Sequence, residues 1–207
     1  MADIAPTLGW ICIDTSLLAI VEATLDVEYE KTNGYRLGRI GCLNVVVNCL
    51  PEQSCAVDAA HMAQIMATSF NGIEAILITG FVDEAPSAGI RLGDVIISQV
   101  TSQYEGDPES NSMATSNIME RASHILQQEV GAAGYWLQRN LPLVASNFPD
   151  LLRSAQRPST GLPDYPRLHY RNIGSVNHNI ENERLLDQLA RLKDIKHFDT
   201  GATGILN

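Results

Sequence analysis

Two apolar runs, one on each side of a short stretch rich in turn-forming residues, constrain the fold of this chain most strongly. The first run is 75–80, Ala-Ile-Leu-Ile-Thr-Gly, and the second is 95–98, Val-Ile-Ile-Ser, which opens directly after Gly93-Asp94. Short apolar runs that are rich in branched residues and bounded by glycine predict buried strands. The stretch between such strands is a natural place for a functional loop.

Further strands and helices alternate along the chain. The pattern predicts strands at 8–13, 35–40, 43–49, 74–79, 94–100 and 168–175, with a hairpin around Gly41. It predicts helices at 16–28, 56–69, 118–130, 142–156 and 181–192, the first with Thr15 or Ser16 as its N-cap. This alternation favours an α/β fold, in which a mixed central β-sheet is flanked by helices within a single domain.

Composition excludes several classes of protein. The chain has 207 residues and a formal net charge of −10, without a basic stripe, so we expect no nucleic-acid partner. No apolar run approaches the roughly 20 residues that a membrane span needs, and residues 1–6 do not resemble a secretion signal. The four cysteines lack zinc-site spacing, so we expect reduced packing residues, a cytoplasmic location, and no metal or cofactor.

Several stretches match the scaffold motifs of one known family, in the family's order. They are Trp10-Ile11-Cys12 with 21–26, 35–41 with 44–47, 91–98, Leu168-His169-Tyr170 with 173–175, and Phe198 with Ala202, Gly204 and Asn207. These stretches resemble the nucleoside phosphorylase and nucleosidase superfamily in the form common in fungal proteins. The resemblance implies a phosphorylase-like fold over residues 1–207. It is poor at about 100–165, which we interpret as a divergent insert.

The resemblance also identifies where the family's catalytic chemistry is altered. Relatives carry a glutamate in the first loop, and Leu17 stands at that position. An aliphatic side chain cannot transfer a proton or hold a water molecule. Asp14 lies nearby and is a candidate substitute, although a carboxylate at this place is more often a solvated or capping group.

A second departure is the glycine-rich turn that binds phosphate in relatives. Here this turn is 80–86, Gly-Phe-Val-Asp-Glu-Ala-Pro, and only its first glycine and its proline agree with the family motif. Val82 adds a branched side chain where the backbone is bare in relatives, and Asp83 and Glu84 repel an anion. The two carboxylates are either surface turn residues or new acid–base groups, and under both interpretations phosphate use is lost.

The motif that holds the nucleoside sugar is altered as well. Thr200 stands where relatives have methionine, and Gly201 stands where they have the gripping glutamate, while Asp199 could compensate in part. Because a site built for a hydroxyl depends on such a partner, sugar recognition is expected to be lost. His169 matches the family well and is either a structural histidine or a pocket residue.

The family motifs together define a candidate site. The candidate catalytic residues are Asp14, Asp83, Glu84 and His169, and the candidate ligand-binding residues are Leu17, Phe81, Val82, Tyr170, Ile173, Phe198 and Thr200. Relatives continue past the position of Asn207 into another strand, so we expect an apolar edge at 202–206 and pairing into a homo-oligomer.

These changes favour a repurposed scaffold that binds a largely apolar, non-nucleoside small molecule. If it is an enzyme, the expected reaction is a cyclisation or isomerisation in secondary metabolism, since conformer selection alone can accelerate such steps without a cofactor. Two alternatives remain open: a residual nucleoside hydrolase or phosphorylase, and a non-catalytic interaction module.

The altered turn at 80–86 predicts that phosphate does not act as a co-substrate. Incubation with inosine, adenosine or uridine should release no free base in a phosphate-dependent manner, because side chains occupy the space that bare backbone leaves for the anion. Chromatography of the reaction with and without phosphate measures this. Phosphate-dependent base release at an ordinary enzymatic rate would refute the prediction.

Overall fold

The computed structural model describes residues 5–32, 34–52, 54, 56–81, 83–84, 94–104, 112–114, 117–130, 167–176 and 197–199. The first half of the chain contains β1 (Leu8–Cys12), α1 (Thr15–Thr24), β2 (Val27–Thr32), β3 (Tyr35–Ile40), β4 (Leu43–Cys49), α2 (Ala56–Ser69) and β5 (Ala75–Thr79). The elements that follow are β6 (Asp83–Glu84), β7 (Val95–Tyr104), β8 (Ser112–Ala114), α3 (Asn117–Val130), β9 (Leu168–Val176) and β10 (His197–Asp199).

The first five strands form a mixed sheet in the order β2-β3-β4-β1-β5. β1 lies at the centre of its parallel part and pairs with β4 on one side and β5 on the other, so that Leu8 is opposite Val45 and Ala75. β2, β3 and β4 form an antiparallel meander. Gly41 makes the β3–β4 turn with φ +58°, a conformation that favours glycine, and its N–H donates to Asp26 Oδ2 over 2.6 Å.

The remaining strands form a second mixed sheet in the order β6-β10-β9-β7-β8. β9 runs parallel to both β7 and β10, and the β7–β9 register shifts between Ser98 and Thr101. The mixed α/β architecture predicted from the sequence is therefore confirmed, with the described strands divided between two hydrogen-bonded groups.

The core lies on both faces of the first sheet. Because successive side chains on a strand point to opposite faces, Ile11 packs toward α2 while Cys12 packs toward α1. α2 contributes Ala59, Ala63 and Met66 to the first face. Gly9 permits this close approach, because a Cβ at that position would lie 2.6 Å from Met66 Sδ. The helix therefore rests directly on the central strand.

Three sequence predictions of local structure need correction. The first helix ends at Thr24 rather than at residue 28, because Leu25 is extended and residues 27–32 gain backbone partners from β3. Its N-cap is Asp14 rather than Thr15 or Ser16. β7 continues to Tyr104, beyond the predicted end at residue 100, because its last residues pair with β9 as far as Val176.

Other predictions agree with the structure or cannot be compared with it. The hairpin at 35–49 and the helix at 56–69 have the predicted bounds. The predicted helices at 142–156 and 181–192, most of the insert at 100–165 and the edge at 202–206 lie outside the described residues. In the described part of the chain, each helix is too short or too polar to span a bilayer.

The packing of α2 predicts that two adjacent residues contribute unequally to the free energy of unfolding. Met66→Ala should lower the free energy of unfolding by about 2–5 kcal/mol, because Met66 is 0% exposed and its removal leaves a cavity. Ile65→Ala is the matched control on the same helix; Ile65 is 39% exposed, so its loss should cost about 1 kcal/mol or less. Urea denaturation followed by circular dichroism measures both, and similar losses would contradict this packing.

Candidate functional site

The carboxyl ends of three parallel strands form one edge of the first sheet. Cys49 of β4, Cys12 of β1 and Thr79 of β5 are opposite one another at this edge. The chain leaves β1 through Ile13 and Asp14 and enters α1 directly. Ligands of open α/β sheets bind at the carboxyl ends of strands, so this edge, called here the β1–β5 edge, is the candidate site.

Asp14 is the residue that starts α1. Its backbone is extended, with φ −143° and ψ 147°, and its Oδ1 accepts hydrogen bonds from the Ser16 backbone N–H over 2.7 Å and from the Ser16 hydroxyl. These bonds stabilise the carboxylate and lower the pKa of Asp14. The side chain is therefore an ionised helix cap, which suits a proton acceptor better than the proton donor that glycosidic cleavage needs.

Leu17 lies in the first turn of α1 and contacts the sheet. It is half-buried and packs against the cluster formed by Cys12, Val21, Val45 and Val47. Leu17 is therefore an apolar contact between α1 and the parallel strands. No ligand is needed to explain its partial burial.

The exit of β5 is also apolar. The Ile13 side chain covers Gly80 so closely that a Cβ there would lie 2.3 Å from Ile13 Cδ1, and the Ile13 N–H donates to Thr79 O over 3.0 Å. Phe81, the next residue, is 61% exposed. Gly80 is thus covered by a hydrocarbon side chain, and an exposed aromatic ring follows it.

Asp83 and Glu84 lie in a strand and not in a turn. They form β6, in which Asp83 is opposite Phe198 and Glu84 is opposite His197 of β10. Ile173 of β9 is opposite His197 on the other side of β10. The topology thereby places four predicted site positions on three neighbouring strands: Asp83, Glu84, Ile173 and Phe198. Val82 and Thr200 lie outside the described residues.

His169 has a specific structural partner. Its Nε2 lies 3.0 Å from Oδ2 of Asp94, whose side chain is only 1% exposed. The other oxygen, Oδ1, accepts the Arg167 backbone N–H over 3.0 Å, and the Val95 N–H donates to Arg167 O over 2.9 Å. This group of contacts, the Asp94 clamp, joins the beginning of β7 to the beginning of β9.

The Asp94 clamp favours the structural interpretation of His169. It lies at the amino ends of the parallel strands β7 and β9, whereas ligands of such sheets bind at the carboxyl ends. The sequence pattern predicted Asp94 only as the first residue of a strand and did not predict its contacts with Arg167 and His169. The available signal was the Gly-Asp pair that directly precedes a buried run, where a carboxylate is costly to bury without partners.

Tyr170 and Ile173 are inner residues of β9. Ile173 is buried, and the Tyr170 hydroxyl is buried without a hydrogen-bond partner among the described residues. This burial raises the pKa of Tyr170, because the phenolate loses solvation. Tyr170 therefore remains a neutral phenol near neutral pH.

A polar cleft between β7 and α3 was not predicted. It has a volume of about 60 Å³ and is lined by Ser98, Gln99, Glu120, Ser123, His124 and Gln127. This volume accommodates only a few water molecules. In the described part of the chain, no group of three or more His, Cys, Asp or Glu side chains has the arrangement of a metal site.

Solved structures establish what this architecture resembles. The 5'-methylthioadenosine/S-adenosylhomocysteine nucleosidase of Neisseria meningitidis matches 97% of this chain and 78% of its own chain, with a TM-score of 0.66 and 13% identity. The futalosine hydrolase of Helicobacter pylori matches 99% of this chain and 78% of its own, with a TM-score of 0.67 and 12% identity. The chain has the nucleosidase fold. The resemblance to the phosphorylase and nucleosidase superfamily is thereby confirmed at the level of the fold.

Sequence comparison adds one distant relative. A nucleotide-binding leucine-rich repeat (NLR)-like protein from Hyaloscypha variabilis is 34% identical over 110 residues, which are 48% of this chain. The match spans only 11% of the length of that protein. No family profile matches the chain. The nucleosidase fold is thus shown by structure, while its chemistry here has to be argued from the site.

The Asp94 clamp predicts that removal of the Asp94 carboxylate destabilises the fold. Asp94→Ala should lower the free energy of unfolding by about 1–3 kcal/mol, because the Arg167 N–H and the His169 ring lose a buried charged acceptor. Asp26→Ala is the matched control, since Asp26 accepts one backbone N–H at an exposed turn and should cost less. Guanidinium denaturation measures both, and equal losses would mean that the clamp does not hold β7 to β9.

Proposed function

We propose that this chain is a small-molecule-binding domain that uses the nucleosidase fold for a largely apolar, non-nucleoside ligand. The ligand binds at the β1–β5 edge. The observation that carries the proposal is the Ile13 side chain over Gly80, at the place where relatives keep bare backbone for an anion. Hydrocarbon at this place disfavours phosphate and ribose and favours an apolar surface.

The neighbouring groups support the same ligand class. Leu17 presents no acid, and Asp14 is engaged by Ser16 as an ionised helix cap. Phe81 offers an exposed aromatic ring directly after Gly80, which suits stacking on a flat or apolar ligand. A site with these groups recognises shape and orientation rather than charge.

A reaction at this edge would be accelerated by holding the substrate in one orientation. A cyclisation or isomerisation of a secondary metabolite needs a folded substrate conformer more than a strong acid or base, and an apolar edge supplies that constraint without a cofactor. A residual nucleoside hydrolase is the less favoured alternative, because its acid would have to be Asp83 or Glu84. We extend the proposal to a cytoplasmic protein, because the cysteines lack zinc-site spacing and suit reduced packing residues.

A second candidate function is favoured by the NLR-like relative. In this role the domain is a non-catalytic interaction module that recognises a small molecule within a longer protein and does not convert it. The match of 110 residues to a much longer protein supports this role. The two candidates share the ligand-binding edge and differ in turnover, so product formation from a bound ligand separates them.

The proposal predicts that Leu17→Glu impairs ligand binding without restoring nucleoside cleavage. The new carboxylate must either stay protonated or be desolvated, so affinity for Nile red, a neutral apolar probe, should fall at least about tenfold, which is about 1.4 kcal/mol. Fluorescence titration measures the affinity. Release of adenine from 5'-methylthioadenosine should stay undetectable, because the glycine-rich turn and the motif that holds the nucleoside sugar remain altered.

Leu18→Glu is the matched control, since Leu18 packs on the same cluster in the same helical turn. Both variants should lower the thermal midpoint, but only Leu17→Glu should lower Nile red affinity measured well below that midpoint. Equal losses of affinity would mean that the probe reports general loosening of α1. Unchanged affinity and midpoint for Leu17→Glu would place Leu17 away from the site and refute the proposal.

A further inference from the structure

Two cysteines are adjacent across the parallel strands β1 and β4. Cys12 is opposite Cys49 in the strand register, with Thr79 opposite Cys12 on the other side. Side chains at registered positions of parallel strands point to the same face, and both cysteines belong to the cluster beneath α1. Both are free thiols in the structure.

We propose that Cys12 and Cys49 are a redox pair that closes to a cross-strand disulfide when a small peroxide oxidises Cys49. Neighbouring strands lie about 4.8 Å apart, which falls within the Cα separation of about 4.4–6.8 Å that disulfides span. The proposal rests on strand register and burial, and it is independent of the ligand proposed above.

Exposure decides the order of the steps. Cys49 is half-buried whereas Cys12 is fully buried, so peroxide reaches Cys49 first. The Cys49 thiolate attacks one peroxide oxygen, the O–O bond breaks, and hydrogen peroxide yields a sulfenic acid and, with one proton, water. The Cys12 sulfur then attacks the Cys49 sulfur, the S–O bond breaks, and a second water leaves. Two thiols and one peroxide give one disulfide and two waters.

The surroundings of the two cysteines make their oxidation by peroxide slow near neutral pH. Burial raises the pKa of Cys12 to about 11, with smaller effects from the Thr79 hydroxyl, which lowers it, and from Cys49 and Glu22, which raise it. Burial, followed by the charge of Asp14, raises the pKa of Cys49. The thiolate is therefore scarce at neutral pH, while the disulfide has no charge to desolvate. The rate should rise roughly tenfold per pH unit below the Cys49 pKa.

Geometry makes the cross-link labile rather than structural. Side chains at registered positions of parallel strands are spaced like the strands, at about 4.8 Å, whereas a relaxed disulfide keeps its Cβ atoms about 3.5–4.5 Å apart. Strained disulfides have higher reduction potentials and are reversed by ordinary thiols. The cross-link joins β1 to β4 directly before Ile13 and so restricts the loop at the β1–β5 edge.

The test uses the full chain with the other two cysteines removed, as the Cys42→Ser, Cys55→Ser variant. Treatment of the folded protein with hydrogen peroxide should remove two hydrogen atoms by intact mass, and digestion should yield one peptide pair joined through Cys12 and Cys49. Oxidation should accelerate as the pH rises, and reduced glutathione should reverse it.

Two further variants in this background serve as controls. Cys12→Ala should let Cys49 proceed to sulfinic acid, and Cys49→Ala should leave Cys12 as a thiol, which alkylation after unfolding detects; circular dichroism confirms that each variant is folded. If peroxide converts Cys49 to sulfinic acid in the Cys42→Ser, Cys55→Ser variant while Cys12 can still be alkylated, the proposal is overturned. A disulfide that forms but resists glutathione would mean that the cross-link is not reversible, which would also overturn the proposed redox pair.

Discussion

The double pairing of β1 is the constraint on which the first half of the structure depends. β4 and β5 bond to its two sides, and α1 and α2 cover its two faces. Gly9 makes this arrangement possible, because any side chain there would meet Met66. Once β1 is held in this way, Cys12, Ile13 and Asp14 have fixed neighbours, and those neighbours decide the chemistry of the edge.

The β1–β5 edge combines the nucleosidase fold with apolar side chains at the strand ends. Side chains at strand ends and loop beginnings affect a ligand more than they affect packing. Leu17 adds apolar contact to the cluster beneath α1, and Ile13 covers Gly80. These apolar contacts stabilise the fold, and a fold by itself does not identify a function.

The second sheet is organised by a different interaction. Asp94 is a buried carboxylate with hydrogen bonds from Arg167 and a contact to His169. Burying a charge without such partners would be costly, so the carboxylate fixes how the starts of β7 and β9 meet. This clamp gives His169 a buried structural partner, which favours the structural interpretation of its match to the family motif.

The sequence by itself determined the α/β class, the hairpin at 35–49 and the helix at 56–69, because hydrophobic periodicity and glycine positions are local properties. The end of α1 was missed, since apolar spacing continues past Thr24 while the backbone partners of 27–32 come from β3. Tertiary structure alone decided that Asp94 meets His169, 75 residues away, and that Cys12 faces Cys49. Such contacts depend on strand order and register, which no local pattern encodes, because the pairing energy comes from residues distant in the chain.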